Sequence, residues 1–179
     1  MKQVYYNVVQ KRYGNAKEFF NKVNNICIEL GISNSDWLCD LMHVETAGTF
    51  RVDIKNQYSS ATGLIQFLES TAIDLGTTTA KLRLMSNLTQ LDYVRKYLKQ
   101  KIAKHGKPLS YFDTYCLVFY PAWVRQPDSA KLPDSSYAVN KGIDLNKDKI
   151  ITRGEFRQWA EKQVGIVSLP ISDNYNLVF

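Results

Sequence analysis

A mainly α-helical fold is predicted by three observations. Apolar residues recur at spacings of three and four over long stretches of the chain. Those stretches are bounded by polar capping residues at their starts and by Gly or Pro at their ends. With 179 residues, 45% of them hydrophobic, the chain can bury one sizeable core.

The elements follow in order. Residues 15–30 set Phe19, Phe20, Val23, Ile26, Cys27 and Leu30 on one stripe, and Gly31 stops that helix. Residues 36–48 form an amphipathic helix with Trp37, Leu38, Leu41, Met42 and Val44 on its apolar face. Ser33 and Asp36 have the spacing of a capping box ahead of it. Residues 49–60 are polar with β-branched residues mixed in, which suits a small hairpin or an irregular loop. Residues 64–76 read as a short helix. Residues 87–106 read as a longer one, with Leu88, Leu91, Val94, Tyr97, Leu98 and Ile102 inward. Ser110 and Asp113 make a second capping box before Phe112, Tyr115, Cys116 and Phe119, and Pro121 ends that helix. Residues 126–138 are a Pro/Ser/Asp-rich connection. The expected organisation is a helical domain over 1–138, a short loop segment over 139–162 and a tail over 163–179.

Composition narrows the function classes. The formal charge is +6, and lysines and arginines concentrate in 95–107. That stretch suits a solvated basic helix face or attraction to a polyanion. It lacks the interleaved aromatic platform of a nucleic-acid binder, so no nucleic-acid partner is expected. An anionic bacterial cell wall fits the charge equally well. No apolar run reaches the ~20 residues of a membrane span. Residues 1–14 lack the apolar stretch of a secretory signal, so action outside the cytoplasm would need another export route. Cys27, Cys39 and Cys116 are an odd count without short spacings, read as buried free thiols rather than a disulfide framework or a zinc site. His43 and His105 are too few and too far apart for a metal cluster, and both read as surface residues.

Glu45 is the residue that points to chemistry. It lies three residues after Met42, four after Leu41 and seven after Leu38, on the face that should be buried. A carboxylate held against apolar neighbours has its pKa pushed up, as a general acid for glycoside cleavage requires. The alternative is a helix-end Glu that turns to solvent as the helix stops near Gly48.

Gly63-Leu64-Ile65-Gln66 follows Glu45 by eighteen positions, preceded by Ser59-Ser60-Ala61-Thr62 and followed by Thr71-Ala72. With His43-Val44-Glu45-Thr46, these pieces make the segment 41–72 resemble the soluble lytic transglycosylases of the lysozyme superfamily, and most of all their phage-borne members. The resemblance implies a lysozyme-like helical fold and cleavage of peptidoglycan at the β-1,4 bond between N-acetylmuramic acid and N-acetylglucosamine. It implies Glu45 as acid and base, with Gly63, Gln66 and Tyr120 shaping the substrate site. Tyr120 would match a motif tyrosine within Phe119-Tyr120-Pro121-Ala122-Trp123, where Pro121 and Trp123 depart from the family's Asn and Gly. Gly63 could let backbone approach a ligand or turn tightly, and Gln66 offers an amide donor and acceptor for sugar hydroxyls. Asp53 is the nearest downstream acid and would be the second carboxylate of a hydrolase. A phage lysin or a tail-associated wall-piercing enzyme fits the small size, acting as a monomer on the wall after synthesis in the host cytoplasm. A non-catalytic virion protein, contacting other virion or tail proteins, is the reading from another class.

Residues 144–155 match the twelve-residue EF-hand loop. Asp144, Asn146 and Asp148 fall at positions 1, 3 and 5, Ile150 at 7, Thr152 at 9 and Glu155 at 12. Hard oxygens at this spacing suit one structural Ca²⁺. Lys149 stands at position 6, where Gly is usual, and must adopt a left-handed backbone.

Overall fold

The computed structural model describes residues 2–166. These are mainly helical. Among them no strand forms, and pairing is confined to isolated bridges at Lys55–Thr62, Thr62–Phe67 and Lys131–Thr152. The expected tail lies outside the described residues from position 167 onward.

The chain starts with a helix that its weak periodicity did not announce. Helix α1, Gln3–Tyr13, buries only Tyr5 and Val9, four residues apart, and ends at Gly14 with φ +74°. Helix α2, Ala16–Leu30, buries the whole predicted stripe and ends on Gly31 in the left-handed region. Helix α3, Ser35–Glu45, is capped by Asn34, whose side chain accepts from the Asp36 N–H at 2.9 Å. The expected Ser33–Asp36 box is thus replaced by an equally good cap one residue later, which leaves Ser33 outside the helix.

Only part of 64–76 is helical. Gly63 and Gln66 hold φ of +78° and +52°, values no helix tolerates. Thr62 and Phe67 exchange backbone hydrogen bonds at 3.0 and 2.7 Å and close a tight turn. Helix α4 is therefore confined to Glu69–Asp74. Helix α5, Thr79–Arg83, is too short to show a period. Helix α6, Asn87–His105, and helix α7, Tyr111–Phe119, lie as expected; Ser110 caps α7 through the Asp113 N–H at 3.0 Å. After short turns come α8, Tyr137–Asn140, and α9, Arg153–Gln163.

Helix α3 packs between α2 and α7, and α6 lies across α2 and α7. Ile143, Ile151, Phe156 and Ala160 join the same core cluster as α2, α3 and α6, so the C-terminal segment is built into the domain. A buried ion network fixes it. Arg153 reaches Asp113 at 2.8 Å and Asp128 at 3.0 Å, and Arg157 reaches Asp128 at 2.6 Å. The Arg153 guanidinium also lies over the Phe112 ring at 4.9 Å. The three cysteines are free and buried. No described helix is long and apolar enough to cross a membrane.

Candidate active site

Glu45 is the last residue of α3, and its position depends on how that helix stops. Thr46 is fully buried; its hydroxyl donates to the Met42 carbonyl at 2.7 Å and accepts the Phe50 N–H at 2.9 Å. Ala47, Gly48 and Phe50 then all take positive φ, so the chain turns sharply away and leaves Glu45 at the helix end.

There Glu45 faces a cleft of about 240 Å³ lined also by Ile65, Gln66, Thr71, Tyr97 and Phe119. The carboxyl keeps an opening to solvent through this cleft and is otherwise enclosed by protein. Burial pushes its pKa up to about 7, against a partial downward pull from the Tyr115 hydroxyl that donates to it. Tyr115 is itself buried, and burial together with the neighbouring Glu45 charge raises its pKa far above the ordinary phenol value. It therefore stays a proton donor to the carboxylate. Tyr97 is raised by burial and then by the Glu45 charge, and its hydroxyl donates to the Leu117 carbonyl at 3.0 Å.

The turn 63–66 is held to this site by one buried side chain. Gln90 Oε1 accepts the Leu64 N–H at 2.7 Å, while Nε2 donates to the carbonyls of Val52 and Leu82 at 3.0 and 2.8 Å. A Cβ on Gly63 would collide with the Gln90 side-chain amide. Gly63 is thus required by Gln90 and by its own φ. It shapes the turn from behind and does not line the cleft. Gln66 does line it, with Nε2 donating to the Gly63 carbonyl at 3.1 Å and a left-handed backbone that costs a non-Gly residue about 1–2 kcal/mol.

The other sequence candidates fall as follows. Tyr120 caps the C-terminal end of α7 and packs edge-on to Trp123 at 5.2 Å; the hydroxyl at Glu45 belongs to Tyr115. Trp123 is a core residue. Asp53 is exposed, does not line the cleft, and is paired with Arg51 at 2.8 Å, whose hydrogen bond lowers its pKa. His43 is more enclosed than a surface residue, with its ring 4.7 Å from that of Tyr5 and a buried Nδ1. Tyr115 and Gln90 are the two residues whose roles the sequence did not reveal. A signal existed for Gln90, a polar residue on the α6 stripe beside Leu91 and Val94.

The 144–155 loop is closed by hydrogen bonds from its backbone to its own acidic side chains. Asp144 accepts the N–H groups of Lys147 and Lys149 at 2.8 and 3.0 Å, and Lys149 takes φ +68°. Asp148 Oδ1 accepts the Ile150 N–H at 2.8 Å. Glu155 closes a capping box with Thr152 and also accepts the Leu145 and Asn146 N–H groups at 3.1 and 3.3 Å. The oxygen donors expected for Ca²⁺ are all on this loop. Among the described residues no cluster of three His, Cys, Asp or Glu side chains is gathered as for a metal. Comparisons with family models, with curated proteins and with solved structures found no match.

Proposed function

We propose that the chain is a peptidoglycan-cleaving lytic transglycosylase with a lysozyme-like helical fold and Glu45 as its acid and base. The observation that carries this reading is the single enclosed carboxyl: Glu45 is the only carboxylate among the described residues lining its cleft, and its pKa is near 7. Glycoside hydrolysis needs a second carboxylate to activate water or to attack the sugar. Transglycosylation needs one. Glu45 donates its proton to the glycosidic oxygen as the bond to C1 breaks. The resulting carboxylate then takes the proton of the muramic acid C6 hydroxyl, whose oxygen bonds to C1 and closes a 1,6-anhydro ring. The nucleophile is on the same sugar, so effective molarity replaces a positioned water. Tyr115 orients the carboxyl, and Gln66 and Thr71 offer hydrogen bonds to the sugar. The exposed, Arg51-paired Asp53 gives the lysozyme alternative less support.

Structural Ca²⁺ in the 144–155 loop belongs to the same proposal; Asp144, Asn146, Asp148, the Ile150 carbonyl, Thr152 and Glu155 would hold it. The test of activity is incubation of the protein and of Glu45→Gln with purified peptidoglycan, followed by mass spectrometry. Fragments one water lighter than hydrolysis products, absent with Glu45→Gln, are expected. Reducing ends would point to a lysozyme. No fragments from several wall types would favour the virion-protein reading.

A further inference from the structure

A second groove of about 240 Å³ is lined in part by Tyr115 and Phe119. Phe119 lines both grooves, and Tyr115, which donates to Glu45, lines the second. Phe119 is therefore a wall common to both hollows, which places them next to each other. The far walls of the second groove come from the segments that flank the acidic loop. Val139, Asn140 and Gly142 stand just before Asp144, and Trp159 stands just after Glu155.

Three features suit a sugar ring. Trp159 is partly exposed and stacked on Phe156, with centroids 5.7 Å apart and planes 18° from parallel, which makes a broad rigid apolar face. Val139, an apolar side chain, is 85% exposed at the rim. Asn140 brings an amide to the same wall, and one of its N–H groups donates to the Ser136 carbonyl at 2.9 Å. Carbohydrate recognition combines such a flat apolar face for the ring's C–H surface with amides for its hydroxyl and acetamido groups. A polymeric glycan cut at Glu45 must also continue past the scissile bond on both sides.

Resting on the glycan-cleaving reading, we propose that the two segments flanking the acidic loop form a second saccharide subsite, in which Trp159 stacks on one N-acetylated ring of the strand held at Glu45. The appendage is thereby part of the substrate groove and sets how long a glycan the enzyme prefers.

The experiment uses full-length Glu45→Gln, which binds without cutting. Its intrinsic tryptophan fluorescence is titrated with a β-1,4-linked N-acetylglucosamine disaccharide and with a longer oligomer. The longer oligomer is expected to bind at least tenfold tighter, and adding Trp159→Ala should remove roughly tenfold of that gain while leaving the disaccharide unchanged. Calorimetry reads the tryptophan variant, because it removes part of the optical signal. Gly142→Trp is the second variant. Gly142 lines the groove and a Cβ there meets nothing within 4 Å, so the position has room for a side chain, and an indole placed there should erase the same gain. An undiminished length preference in both variants overturns the subsite and leaves the Glu45 reading intact. Failure of Glu45→Gln to bind either saccharide, or equal binding of both, also overturns the subsite, while the peptidoglycan digest alone decides the Glu45 reading.

Discussion

A carboxyl whose pKa rises from 4.5 to about 7 on folding makes stability depend on pH in a defined window. Below pH 4.5 folded and unfolded chains both hold the proton, and Glu45 costs nothing. Above pH 7 both have lost it, and the native state bears the full cost of enclosing a charge. Stability therefore falls as pH rises through that window. Glu45→Gln should be more stable than the parent by about 3 kcal/mol above pH 7, and equal to it below pH 4.5, by thermal melts across the range. Tyr115→Phe removes the donor that pulls the carboxyl pKa down. The alkaline limb of the kcat/KM profile, where the acid loses its proton, should move to higher pH, and an unmoved limb would separate Tyr115 from Glu45. The place of Glu45 was legible because a helical period says which face a residue takes. Its partner was not, because Tyr115 meets it across two helices far apart in the chain, and no local pattern encodes that meeting.

At the scale of elements, the turn 63–66 owes its shape to a side chain from α6. Gln90→Leu would take the Gln90 partner from the Leu64 N–H and the Val52 carbonyl, and one of its donors from the Leu82 carbonyl, which keeps the Met85 N–H at 3.2 Å. A loss of about 3 kcal/mol or more is expected, read by denaturant unfolding. The same dependence explains why 64–76 was misread as one helix. Its composition allows a helix, and the positive φ at Gly63 and Gln66 comes from tertiary contact with Gln90 and from the Thr62–Phe67 closure. Helices α2, α6 and α7 were legible because long stripes outweigh such local effects, whereas α1 buries too few residues to show a stripe. The acidic loop gives Lys149 the left-handed backbone expected of it, with φ +68°. Its metal is a matter for measurement: added Ca²⁺ should raise the melting temperature by several degrees over EDTA, and equal values would remove the ion from the proposal.

For the molecule as a whole, the Arg153–Asp128–Arg157 network decides whether the C-terminal segment stays docked. Asp128 is fully buried between two guanidinium groups. Asp128→Asn leaves them undercompensated, and about 3–5 kcal/mol should be lost, seen as a lower melting temperature and early proteolysis after residue 126. This network was invisible in the sequence, where 126–138 read as a plain connection. The tyrosine that donates to Glu45 is packed at 5.3 Å against Phe156 and at 6.4 Å against Trp159, both from the last described helix. A ribosome releases that helix after every residue of the Glu45 cleft has already emerged. The nascent chain thus carries Glu45 before its enclosure is finished, and the cleft is completed only once that helix has packed against Tyr115.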